Sequence, residues 1–175
     1  MKIRNGFVSN SSSSSFIVIF PEVPKSSEDV KNVLFNKGQT HFVGPYGDND
    51  VFTIEQVADQ VWNDIKEQTV NDFKNAAELL SHDGYGDPEA PEYENFKVDG
   101  KVDWEEYNKA NLKYGEKKMN DFFNHRKVKL QKLNKEEVDL VFYTFEYSDN
   151  SGSFECSLEH GDLFDHLKHL RISNH

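Results

Sequence analysis

Six serines and one asparagine, Ser9-Asn10-Ser11-Ser12-Ser13-Ser14-Ser15, run straight into Phe16-Ile17-Val18-Ile19-Phe20, and this junction constrains the fold more than any other feature. A hydroxyl tract has no apolar surface to bury, whereas a block of aromatic and β-branched residues belongs in a core strand. The expectation is a polar, hydroxyl-lined loop feeding a buried strand. Residues Ile3 to Val8 offer a second short strand before the tract, and Pro21 and Pro24 end the strand after it.

A chain of 175 residues suits one domain with a full hydrophobic core. Fourteen Phe, seven Tyr and two Trp offset a modest 36% apolar content, which predicts an aromatic core. The formal charge of −11 opposes binding to nucleic-acid backbone and suits a basic partner instead. One cysteine, Cys156, leaves no internal disulfide and fits a reducing, cytoplasmic compartment. No apolar run is long enough for a signal peptide or a membrane span.

Periodicity places the elements. Ser26 or Ser27 caps a short helix carrying Val30, Val33 and Leu34, with Gly38 as a stop. Thr40 to Val43 reads as a short strand. Thr53 and Gln56 form a capping-box pair ahead of Ile54, Val57, Ala58, Val61, Trp62 and Ile65, the clearest helix in the chain. Val70, Phe73, Ala76, Ala77 and Leu80 predict another helix.

From 83 to 103 the composition turns acidic and turn-rich, which predicts a mobile segment, with Asp99-Gly100 at the tip of a two-residue hairpin. Asp103 and Glu106 cap a long helix through Trp104, Tyr107, Leu112, Met119, Phe122 and Phe123 that Gly115 would kink or divide.

In the last third, Val138 to Tyr147 is nearly continuous β-former, and Phe154 to His160 alternates polar and apolar residues. The pattern predicts an antiparallel hairpin over 138–160. Asp162 would then cap a final helix whose Leu163, Phe164, Leu167 and Leu170 face the sheet. Strands and helices without regular βαβ alternation imply a single α+β domain, mainly antiparallel, with Phe16 to Phe20 and the 138–160 hairpin forming a sheet covered by helices on one face.

The segments Arg4-Asn5-Gly6-Phe7-Val8-Ser9-Asn10-Ser11 and Ser15-Phe16-Ile17-Val18 resemble the start of a group of small uncharacterised proteins of tailed bacteriophages and bacteria. Tyr147-Ser148-Asp149, Leu158-Glu159-His160-Gly161 and Ile172-Ser173-Asn174-His175 match the same group more weakly. The resemblance implies phage or prophage origin and an intracellular role. It brings no activity, cofactor or catalytic residue with it.

Three features carry candidate chemistry. The serine tract, with Lys2 and Arg4 nearby, offers hydroxyls and amides for a phosphate, or targets for phosphorylation, but lacks the glycines of a phosphate loop. His160, His166 and His169 with Asp162 are candidate metal ligands, and zinc or manganese there would suit a metal-dependent hydrolase; His175 lies near them in sequence. Their spacing matches no known ligand pattern.

The third is charge segregation: the acidic Asp87, Glu89, Glu92 and Glu94 stand against a basic stripe between Lys113 and Lys135 that includes Arg126, Lys127 and Lys129. These residues form a candidate interaction surface for a host or phage protein, or through the stripe for nucleic acid. The two charged segments are also able to fold against each other.

No nucleophile is paired with a base, so the favoured reading is a small acidic interaction protein without chemistry or cofactor. A hydrolase and a virion structural component are the alternatives.

Overall fold

Phe16 to Phe20 is apolar at every position, and a strand built from it needs cover on both faces. A computed structural model supplies that cover; it describes residues 13–45, 50–81, 87–132, 141–148 and 153–174, with 125–132, 153, 173 and 174 described by backbone alone. In chain order the elements are β1 (Ser13–Phe20), α1 (Ser27–Leu34), β2 (His41–Val43), β3 (Val51–Thr53), α2 (Ile54–Ile65), α3 (Phe73–Ser81), a 3-10 turn (Tyr93–Phe96), β4 (Lys97–Val98), β5 (Lys101–Val102), α4 (Trp104–Lys132), β6 (Val141–Ser148), α5 (Ser153–His160) and β7 (Lys168–Asn174). No helix among the described residues is long and apolar enough to cross a membrane.

The main sheet is antiparallel in the order β6-β1-β7. Phe16 stands opposite Phe145 on one side and Arg171 on the other. Side chains alternate across β1, so Phe16, Val18 and Phe20 enter one core with α1, α2, Leu158 and Phe164, while Ile17 and Ile19 enter a second core with Ala76, Ala77 and Leu80 of α3 and Met119 and Phe122 of α4. The α+β class is as expected, but helices cover both faces of the sheet instead of one. The cause lies in β1, which has no polar face to leave in water.

Several local readings hold. Ser26 accepts from the Asp29 amide at the start of α1, and Thr53 with Gln56 makes a reciprocal capping box on α2. Asp99 and Gly100 both have positive φ, 50° and 78°, the geometry of a two-residue hairpin turn. Asp103 Oδ1 accepts from the amides of Glu105 and Glu106 as α4 begins.

Gly115 does not divide α4, which runs unbroken to Lys132. Its role is contact: a Cβ there would sit 2.0 Å from the carbonyl oxygen of Ala77, so only glycine lets α3 and α4 approach this closely.

The C-terminal third differs from expectation. Residues 153–160 form the helix α5 instead of a strand, and the final helix expected from Asp162 is replaced by turns and the strand β7. A seven-residue alternation is too short to separate strand from helix by period alone. Neither edge is left for a 154–160 strand: the outer edge of β6, where a hairpin would pair, is held by Gln68 and Asn71, and the free edge of β1 is taken by Lys168–Asn174, with Ile172 filling the second core. Asp162, at φ 54°, turns the chain between the two. Leu163 and Phe164 are still buried, but from a turn.

The serine tract is also corrected in part. Ser13, Ser14 and Ser15 belong to β1, and Ser14 and Ser15 are buried. The strand expected over 3–8, and the serines before 13, lie outside the described residues.

Candidate functional site

The strand register brings together two features that are far apart in the chain. Ser14 shares a face of β1 with Phe16, which directs it toward the end of α5. Its hydroxyl donates to Glu159 Oε1 at 3.0 Å and accepts from Arg171 Nε and Nη2 at 3.2 and 3.1 Å. His160 completes the group, with Nδ1 3.3 Å from Arg171 Nη2 and Nε2 3.5 Å from Glu159 Oε2.

The Glu159 side chain is fully buried, and its Oε2 makes no hydrogen bond among the described residues. Burying a carboxylate is costly unless cations and donors surround it, and Arg171 and His160 stand on two sides of the pair. Both the donor and an acceptor position of Ser14 are occupied, and the residue has no exposure. The arrangement clasps β1, α5 and β7 together and presents no nucleophile.

The remaining histidines go elsewhere. His166 Nε2 lies 3.4 Å from Asn36 Nδ2, while His169 Nδ1 faces the carbonyl oxygens of Phe164 and Leu167 at 3.0 and 3.2 Å. His166 and Asp162 line a shallow groove of about 260 Å³ with His41 and Gln39 above Phe35 and Phe42. Thus His160, His166, His169 and Asp162 are not gathered into one ligand set, because turns, and not a helix, carry residues 161–167. Among the described residues no group of three or more His, Cys, Asp and Glu side chains is placed to hold a metal ion.

The acidic and basic segments meet. Asp87 accepts from Tyr114 Oη at 2.8 Å and from Lys118 Nζ, and Glu89 pairs with Lys117 at 2.8 Å. The Lys118 ammonium, the Glu89 amide and the Tyr114 hydroxyl, in that order, hold the Asp87 carboxyl down to about 2. Hydrogen bonding to Asp87 in turn raises Lys118. The described part of the expected mobile segment, 87–103, is therefore a turn, a 3-10 turn and a hairpin, tied to α4 through Asp87, Glu89 and the contact of Phe96 with Tyr107.

Asp87 and Glu89 are both paired with lysines of their own chain, Asp87 partly buried and Glu89 exposed. Glu92 and Glu94 remain exposed, and Glu94 pairs locally with Lys97. The backbone of Arg126, Lys127 and Lys129 is helical; their side chains lie outside the described residues.

Beyond this anchor the excursion exposes apolar side chains. Tyr93 is 50% exposed, Val98 63% and Trp104 60%. The rings are linked through Tyr107, which lies 5.6 Å from Phe96 and 5.8 Å from Trp104. Between Glu92 and Lys109 there are six carboxylates and three lysines, and Lys97 and Lys109 already pair with neighbouring glutamates.

Helical periodicity places Trp104 on the same helix as Met119 and Phe122 without saying which of them is buried. No sequence signal separates an exposed first turn from a buried one when only tertiary packing supplies the cover. The Ser14–Glu159 clasp was equally hidden, since its members are 145 positions apart. No protein-family model, curated protein or solved structure matches this chain.

Proposed function

We propose that this chain is a non-catalytic, cytoplasmic interaction protein of phage or prophage origin, and that it docks a basic host or phage macromolecule through the excursion from Glu92 to Lys109. The exposed Trp104, with Tyr93 and Val98 also exposed in the same acidic segment, carries this reading. Exposed apolar side chains gathered in one segment favour a binding site, and Trp and Tyr supply most of the energy at protein interfaces. The surrounding Glu92, Glu94, Asp99, Glu105 and Glu106 attract positive charge and speed encounter with a basic surface. Anchoring by Asp87 and Glu89 on α4 holds the excursion in place before binding, which lowers the ordering cost.

Affinity capture from expressing or infected cells, run in parallel with wild type and Trp104→Ala, tests this. A basic protein retained by wild type at moderate salt and lost from the variant is the expected result. Identical recoveries from both, or a partner that ignores salt, would count against it.

A further inference from the structure

The two outer edges of the sheet are treated differently. On β6 the side chain of Gln68 donates to the Thr144 carbonyl at 2.8 Å and accepts from its amide at 3.3 Å. Asn71 does the same for Phe142, accepting from its amide through Oδ1 at 2.8 Å and donating its own amide to the carbonyl at 3.2 Å. Two amide residues thus stand where another strand would pair. Among the described residues β7 has no such cover. Its inward side is paired with β1, and among the described residues no hydrogen bond reaches the outward main-chain groups of Lys168 to Ile172. An open edge of this kind is a template for strand addition.

The side chains of β7 select the occupant. Lys168 lies 5.2 Å over the Phe122 ring, and Arg171 lies 5.6 Å over the Phe16 ring. Those two rings belong to the cores on opposite faces of the sheet, so exposed positive charge brackets the edge from both sides. A second copy is penalised in two of its registers. Antiparallel self-pairing centred on Arg171 sets that residue against itself, and pairing centred between His169 and Leu170 sets Lys168 against Arg171; like charges directly opposite are destabilising.

The geometry points to β7 as the acceptor for an extended, acidic segment of another macromolecule, added antiparallel or parallel as a fourth strand in the order β6-β1-β7-partner. Main-chain pairing supplies the contact, and two carboxylates three positions apart on the incoming strand, one on each face, meet Lys168 and Arg171. This surface is separate from the excursion on α4, so each fails or stands without the other.

The probe is a capped eight-residue valine peptide with glutamates placed three positions apart, so that both faces of the strand carry a carboxylate, titrated to millimolar concentration into the full chain labelled with ¹⁵N. The expected result is amide shift changes and slowed exchange confined to 168–174, absent with the valine-lysine counterpart. Lys168→Glu, which leaves the Ser14 clasp untouched, should weaken binding by about fivefold, the size of one exposed charge pair. Equal response to both peptides, shifts elsewhere, no shift at all, or self-association that protects the same amides would each overturn the assignment.

Discussion

Ser14 and Glu159 are joined by a hydrogen bond of 3.0 Å across 145 positions of chain, and neither side chain reaches water. The pair ties the first residues of the central strand to the last turn of α5, with Arg171 of β7 bound to the same hydroxyl.

Removing the carboxylate should therefore loosen three elements at once. Glu159→Ala leaves the Ser14 hydroxyl without its acceptor and Arg171 without a nearby anion, and is expected to cost about 2 to 3 kcal/mol by urea unfolding. Ser14→Ala should cost less, and a double-mutant cycle should return a coupling of about 1 kcal/mol. Additive losses would show that the two side chains do not act on each other.

The docking of the acidic excursion depends on pH with a definite sign. Asp87 titrates at about 2 in the folded chain against an ordinary 3.8, so its contribution is fully present above the ordinary value and disappears as pH falls through about 2. Lys118 is raised from 10.5, so its contribution is present below that value and is lost only at higher pH. Protection of the amides over residues 87–96, measured against the unstructured exchange rate at the same pH, should fall between about pH 4 and pH 2 in wild type. In Asp87→Asn it should already be low at neutral pH and show no such step.

Gly115→Ala tests close helix contact against helix propensity. Alanine favours an exposed helix by about 1 kcal/mol, but here its Cβ would fall 2.0 Å from the Ala77 carbonyl oxygen. Overpacking should win, with a net loss of about 1 to 3 kcal/mol and weaker protection of α3 amides in hydrogen exchange. Stabilisation would mean that α3 and α4 separate freely.

Asp64 is the opposite case to Asp87. It accepts from Tyr147 at 3.0 Å and Gln60 at 2.7 Å, yet burial outweighs both donors and raises its carboxyl. A raised carboxyl favours the folded state as pH falls through its folded value, and its ionised form opposes folding above that. Asp64→Asn keeps an acceptor for Gln60, turns the other oxygen into an amide donor that the Tyr147 hydroxyl is able to accept, and removes the charge, so thermal stability at neutral pH should hold or rise by up to about 1 kcal/mol. A large loss would show that the charge itself is needed.

Much of the architecture is legible from short-range rules. The capping box at Thr53, the Asp99-Gly100 turn and the apolar run from Phe16 follow from chemistry within a few residues, and they appear where those rules put them. The segment from Phe154 to Leu170 does not. Its alternation and its apolar stripe are both compatible with the wrong element, and its true state depends on which segments occupy the outer edge of β6 and the free edge of β1. The candidate sites divide the same way. Opposite charge on 87–103 and α4 was visible in composition, but which carboxylates pair with lysines of α4 and which aromatic rings are left outside is a property of packing.

By itself the order of residues determined an aromatic, mixed α+β core around a strand with no polar face, because propensity, capping and burial act locally. Tertiary structure decided the partner of Ser14, the separation of the histidines, the two-sided cover and the unequal edges of the sheet. Each of these is a contest among distant segments for one place, settled by the free energy of the whole arrangement.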